Sequence, residues 1–443
     1  MNFSLSSTQQ EWRTEVRHFL DAELPGDREA DAFEDDGTGA WEFARSFNRK
    51  LGKRGWLTAA WPKEYGGLSL SFTDQAIYME EMTYRRAPLG PSQMAVRMAG
   101  STVIVHGNDR QKREQLPAIA AGDRVYCQGF SEPNAGSDLA SLQTRAVRDG
   151  DEWVVNGTKI WTSGAQHADW MMLLARTDPE APKHRGITFF LLEANTPGIQ
   201  VQPLINMAGM HGFNQVFFDN VRVKHENVIG EPNRGWYVAT TTLDFERSGI
   251  HRAADAHRLL NDTLALKRSP VGAAKASDAA SRCAAADRVI DVEIGRLLAY
   301  RVATLQDTGK VPNYEASVSK LYGSELVQRV ARFAVSYLGM SGQLLPGSAH
   351  ALAGGRLTNA YMTSVSATIA GGTSEVQRGI IAGRGLGMRG CGHRARRPSR
   401  VPAESRALAE SGESSGPESE LGRKPPDLRR TPRRPRLRFH RRL

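Results

Sequence analysis

Cysteine is scarce in this chain: Cys127, Cys283 and Cys391 are the whole complement, and no two of them form a Cys-x-x-Cys pair. That excludes a disulfide framework and a structural zinc site, and it favours a reducing, cytoplasmic setting. Long apolar runs are missing as well. No stretch reaches the roughly 18 residues that a membrane-spanning helix needs, and Met1 to Trp12 lacks the basic start and apolar stretch of a secretory leader. Excess charge is absent from most of the chain, although the formal net charge is +10. Residues 389–443 hold 16 Lys+Arg and 6 Asp+Glu; removed from the totals of 58 and 48, these leave 42 of each sign in residues 1–388. The basicity belongs to the tail, so nucleic acid is not the expected partner of the rest. Rich in Arg, Pro, Ser and Gly and without aliphatic periodicity, residues 389–443 are expected to be disordered, an extension with no role of its own.

What is present is enough apolar material, 40% of 443 residues, for a large core and about three domains. Residues 1–122 have helical periodicity: Ser7 or Thr8 is placed to cap a helix carrying Trp12, Val16, Phe19 and Leu20, and helices are expected over 73–84, 92–106 and 109–120. From 123 to 232 the pattern changes to short apolar or alternating runs at 153–155, 170–175, 186–193, 199–204 and 215–223, divided by Gly, Asn, Asp and Pro, which read as strands. Helical periodicity returns over 233–388, with helices expected at 236–260, 287–306, 315–337 and 374–382.

The most informative stretch is Cys127-Gln128-Gly129-Phe130-Ser131-Glu132-Pro133-Asn134-Ala135-Gly136-Ser137-Asp138. Glu-Pro sets an extended entry, and Ala-Gly-Ser-Asp allows a tight turn whose backbone N–H groups and hydroxyls can face carbonyls or phosphates of a ligand. About 25 residues later comes Lys159-Ile160-Trp161-Thr162-Ser163-Gly164, read as the return strand of a hairpin that turns at Asn156-Gly157. Together the two segments resemble the flavin-binding signature of the acyl-CoA dehydrogenase family, and the resemblance covers roughly residues 3–388.

The resemblance implies an α+β fold with an N-terminal helical domain, a central antiparallel β domain and a C-terminal four-helix-bundle domain. It implies FAD as cofactor. The flavin contacts would come from Gln128, Phe130, Ser131, Gly136 and Ser137 of the first segment, Trp161 and Ser163 of the second, and Thr373 and Glu375 near the C-terminus. In such enzymes an acyl-CoA thioester loses its α-proton to a base and its β-hydride to the flavin, and electrons pass to an electron-transferring flavoprotein. The base must be a group whose proton affinity rises when substrate excludes water, which a shielded carboxylate provides. The common position for it, just before Gly-Thr-Ser in Ile369-Ala370-Gly371-Gly372-Thr373-Ser374-Glu375, is here Gly371. Some branches place the base on an earlier helix in a Leu-Asp-x-Glu-Arg sequence, and this chain has Leu243-Asp244-Phe245-Glu246-Arg247. Glu246 is therefore the expected base, with Ser137, Asp244 and Arg247 on the substrate.

Two motifs that the family uses between subunits are altered. Leu266-Lys267-Arg268-Ser269-Pro270-Val271-Gly272 lacks the expected Phe, and Ser336-Tyr337-Leu338-Gly339-Met340 stands where Gln-x-x-Gly-Gly is usual. A homotetramer or an α2β2 heterotetramer, of the kind that acts on steroid side-chain thioesters, is expected. A non-catalytic partner subunit is the alternative.

Overall fold

The computed structural model describes residues 4–24, 39–244 and 248–388, the side chains of Pro91 and of residues 241–244 aside. The expectation of a disordered tail lies outside the described residues. Six helices come first: α1 (Ser7–Glu23), α2 (Ala40–Lys53), α3 (Phe72–Tyr84), α4 (Gly90–Met94), α5 (Ser101–His106) and α6 (Asp109–Ala120). The cap of α1 is Ser6, one residue earlier than expected. Its hydroxyl accepts the Gln9 N–H at 3.2 Å while the Gln9 side chain accepts the Ser6 N–H at 3.1 Å. Gln10, which would complete the same box for Ser7, donates instead to the Leu5 carbonyl. The helix expected over 92–106 is interrupted by a π-helical stretch, Ala95–Gly100, between α4 and α5.

Seven strands follow: β1 (Tyr126–Gly129), β2 (Arg145–Asp149), β3 (Glu152–Lys159), β4 (Trp170–Arg176), β5 (Ile187–Glu193), β6 (Ile199–Leu204) and β7 (Phe213–Lys224). Most pairings are antiparallel, but β1 runs parallel to β4. The near-continuous apolar run of β4 is explained by burial on both faces. Met172 and Leu174 pack with Trp61, Ala99, Val103 and Ile119 of the helical part. Met171, Leu173 and Ala175 face the opposite way, toward Cys127, Phe190 and Val216. The hairpin expected to turn at Asn156-Gly157 is not formed: β3 is one strand through those residues and its hairpin partner is β2. Gly157, at φ +151°, pairs with Phe218 beside a bulge that puts one extra residue on β7 at Asp219–Asn220, and a Cβ on it would come within 2.8 Å of Thr144.

The C-terminal part comprises α7 (Gly235–Asp244), α8 (Ile250–Ala265), α9 (Pro270–Ser277), α10 (Ala279–Asp307), α11 (Tyr314–Leu338), α12 (Arg356–Thr363) and α13 (Ser374–Ile380). Where a single helix is expected at 236–260, α7 is described to Asp244 and α8 begins at Ile250, capped by Gly249 at φ +70°. The long helices α8, α10 and α11 bury Leu259, Leu260, Val292, Leu326 and Val330 against one another.

A polar network ties this part to the N-terminal helices. Glu80 of α3 accepts from Arg13 of α1 (2.5 Å), from Arg296 (2.5 Å) and from the Tyr300 hydroxyl (2.6 Å), the last two on α10. Glu81 beside it takes a two-pronged bond from Arg17 at 2.8 and 2.9 Å. Removing the shared acceptor takes the close carboxylate from Arg296, while Arg13 keeps Glu81 at 3.1 Å, so Glu80→Ala is expected to lose about 2–3 kcal/mol, against about 1 kcal/mol for Tyr300→Phe. Urea unfolding followed by tryptophan fluorescence measures both, and equal losses would show that Glu80 is not the hub.

Candidate flavin site

The first segment leaves β1 and doubles back on itself. Glu132 and Ala135 exchange backbone hydrogen bonds at 3.0 Å each way, closing a turn over Pro133 and Asn134. The second segment continues straight from β3, and Ile160 N–H donates to the Ser131 carbonyl at 2.9 Å, so the two motifs lie side by side. Beneath them is a buried ion pair. Lys159, fully buried, donates to Glu132 Oε1 at 2.8 Å and to the Phe130 carbonyl at 3.0 Å. The Glu132 carboxylate also accepts the Gln143 N–H at 2.6 Å and the Thr144 N–H at 2.8 Å, which ties both ends of the turn to one group.

Burial alone would push the Glu132 carboxyl up; Lys159 and the hydrogen bonds outweigh it and hold the carboxyl below its ordinary value. Burial is also the main influence on Lys159, lowering it to about 8 against the opposing pull of Glu132. At neutral pH the pair is ionic. Arg176 completes the support, donating to the Ala140 carbonyl at 2.6 Å. Cys127, in the same segment, is inert, because burial pushes its thiol up to about 12.

Of the residues expected at the cofactor, Phe130 is buried and packs edge-on against Phe189 at 5.8 Å, while Gln128 and Ser131 are half-buried. Gly136 and Ser137 stand exposed at the tip of the loop. Trp161 adopts φ +60°, a strained conformation for an aromatic residue, and leaves its indole 61% exposed with Phe213 edge-on at 6.0 Å. Ser163 is half-buried, and the buried Thr162 hydroxyl has no partner. The backbone of Thr162 is locked by reciprocal bonds to Asn214 at 3.0 and 3.1 Å. A strained, exposed flat ring, an unsatisfied hydroxyl beside it and further hydroxyls nearby fit a planar cofactor with polar edges, as FAD is.

The C-terminal candidates are on a different element. Thr373 caps α13, accepting the Val376 N–H at 3.2 Å, and α13 packs on α11. Glu375 is 80% exposed, with Arg378 at 3.7 Å. Its own backbone N–H, then the Thr373 hydroxyl, hold its carboxyl below the usual range. A cavity of about 430 Å³ opens here, lined by Thr373, Ser374, Glu375 and Arg378 and by Glu325, Gln328, Arg329 and Arg332 of α11. Gly371 and Gly372 precede α13 at φ +64° and +85°, and a Cβ on Gly371 would meet nothing within 4 Å. Glu246 and Arg247, with Phe245, lie outside the described residues, as does the side chain of Asp244.

Three supporting residues escaped sequence reasoning: Lys159, Glu132 and Asn214. The signal for the first two was a lysine at the end of an apolar strand and a glutamate opening a turn of small and polar residues. Asn214 gave none, since its role depends on β7 lying beside the second motif.

Sequence models of three families match in order: the acyl-CoA dehydrogenase N-terminal domain over 6–123, middle domain over 127–221 and C-terminal domain over 233–386. The acyl-CoA dehydrogenase FadE26 of Mycobacterium tuberculosis is 36% identical over 399 residues, covering 88% of this chain and 99% of that protein. Among solved structures, the Tcur3481-Tcur3483 steroid ACAD superposes with a TM-score of 0.81 at 35% identity, covering 88% of this chain and all of that one. The ChsE4-ChsE5 complex from Mycobacterium tuberculosis gives 0.79 at 33%, again covering 88% of this chain and all of that one. No helix among the described residues is long and apolar enough to cross a membrane.

Lys159→Met leaves the Glu132 carboxylate buried without its cation and is expected to cost about 3–5 kcal/mol, whereas Lys159→Met with Glu132→Leu regains most of that loss. Denaturant unfolding of the two variants decides it. Trp161→Gly relieves the positive φ and is expected to raise stability by about 1 kcal/mol while weakening flavin retention. A drop in both would show that the indole is ordinary packing.

Proposed function

Because the chain belongs to the acyl-CoA dehydrogenase family, we propose that it carries FAD and converts an acyl-CoA thioester to the trans-2-enoyl-CoA with Glu246 as base. The observation that carries the assignment is the glycine at 371. The position before Gly-Thr-Ser has no side chain, and the nearest carboxylate in that segment, Glu375, is solvent-exposed and biased toward its ionised form. A carboxylate that water already stabilises gains little proton affinity when substrate arrives. In the sequence Glu246 lies two residues after Asp244, the last residue of α7, and four before Ile250, the first of α8.

The bound flavin supplies the acceptor for the hydride that leaves the β-carbon. The chain's own residues do the rest. Glu246 takes the α-proton, and the C–H electron pair becomes the new double bond as the β-hydride departs, so two electrons and one proton leave with the hydride and one proton stays on the carboxyl. Asp244 and Arg247 hold the CoA portion, with Ser137 near its pantetheine arm. Trp161, Ser131 and Ser163 flank the flavin, and the Glu132–Lys159 pair keeps their two segments in register.

The similarity to a steroid ACAD and to a complex of two unlike chains supports a bulky, sterol-derived acyl group and an α2β2 assembly. The altered Leu266–Gly272 and Ser336–Met340 segments support the same assembly, because contacts missing here can come from a second kind of subunit. Met340 is 79% exposed in the single chain. Those changes also favour the second reading, a partner subunit without its own activity. Electron-transferring flavoprotein is the proposed acceptor, and the cytoplasm the proposed setting.

Purified alone and with a co-expressed paralogue, the protein should be yellow and bleach anaerobically with a sterol-derived CoA thioester. A Glu246→Gln variant is expected to keep its flavin and lose about 10²- to 10⁴-fold in the rate of that reduction. Reduction at the normal rate in the variant would reject Glu246, and a colourless protein in both preparations would favour the partner subunit.

A further inference from the structure

The turn that precedes α13 hangs on one side chain. Lys320, on α11, is 8% exposed, and its ammonium donates to the Gly372 carbonyl at 2.6 Å and reaches the Ala367 carbonyl at 3.4 Å. Both ends of the segment 367–372 are thereby fastened to α11. Two amides assist from either side: Gln328 donates to the Thr368 hydroxyl at 3.0 Å, and Gln377 to the Gly371 carbonyl at 3.1 Å. This segment and the first turn of α13 form one wall of the 430 Å³ cavity.

Resting on the flavin reading above, we propose that Lys320 is a positioning residue of the dehydrogenase site, setting the path of the 367–373 segment and so the placement of Thr373 and Glu375 on the cavity wall. Two features point there. Among the described residues the ammonium pairs with no carboxylate and donates to carbonyls of this one segment. The left-handed glycines at 371 and 372 have little conformational preference of their own, so an external tether must choose among their conformers.

Burial first, then the Arg252 charge on α8, lowers Lys320 to about 8 from an ordinary 10.5, with Glu325 of α11 and Glu375 of α13 opposing weakly. Between those pH values the unfolded chain binds more protons than the folded one, so stability rises with pH there. Below pH 8 the ammonium is a cost to folding. A group retained at such a cost, where a methionine would pack without it, serves geometry and not stability.

The test compares Lys320→Met and Lys320→Arg with the wild type. In Lys320→Met, hydrogen exchange of the amides over 368–378 should rise about tenfold in the flavin-free protein, with exchange elsewhere unchanged and the melting temperature no lower. Flavin should bind about tenfold more weakly, and reduction at saturating thioester should slow about as much with little change in the thioester concentration needed for half-saturation. Lys320→Arg should restore most of both effects. The wild-type reduction rate relative to Lys320→Arg should fall between pH 7 and 9, as the lysine loses its proton and the arginine does not.

Uniformly faster exchange with a lower melting temperature would mark Lys320 as a plain stability residue and overturn the proposal, as would unchanged exchange in this segment. Local loosening in Lys320→Met, together with a wild type that binds no flavin, would leave the tether standing and remove the flavin reading instead.

Discussion

A single buried ion pair sets the register of everything around the proposed flavin site. Glu132 and Lys159 belong to segments 27 residues apart, and the structure brings them to 2.8 Å in a place where neither would be tolerated alone. The carboxylate then spends its remaining acceptor capacity on the backbone at 143 and 144, while the ammonium reaches back to the carbonyl of 130. The loop from 130 to 144 is thus closed from within and does not depend on a bound ligand for its shape. A preformed loop of this kind lets the exposed indole and the serine hydroxyls wait in place, and the ordering cost is met by folding and not by binding.

That arrangement rests in turn on the sheet. Lys159 ends β3 and Glu132 follows β1, strands joined through β4 and β2 in the sheet order. The apolar faces of β4 pack on the helical part on one side and on β5 to β7 on the other, so the strand ends cannot slide relative to each other without exposing residues such as Met171 and Leu174. Register here is enforced by two cores at once.

Much of this was legible in advance. The division into helical, β and helical parts follows from a change in hydrophobic period that survives any error in individual boundaries, and β6 over 199–204 agrees to the residue. The failures have local causes. The run 236–260 keeps helical periodicity through Gly249, whose positive φ starts α8 afresh at Ile250. The supposed turn at Asn156-Gly157 has the composition of a hairpin, but pairing with β7 holds it extended, and the local irregularity is an extra residue on β7 opposite it. β2 was missed because only Ala146 of its five residues is buried, leaving no apolar face to read. The residues proposed to contact a ligand stand in motifs that the sequence displays. Those that act by holding backbone, such as Asn214 and Lys320, do not, since a lone amide or lysine on a strand or helix has no signature until the fold supplies its carbonyl.

The glycine at 371 is more than an absent side chain. With φ +64° there and +85° at the next residue, the backbone enters α13 by a route that a glutamate could follow only under strain, even though space for its Cβ exists. Lys320 holds this path through the Gly372 carbonyl at 2.6 Å. On the reading proposed above the base is Glu246, which asks for no side chain at 371 and leaves the turn to be set by backbone conformation and by the Lys320 tether.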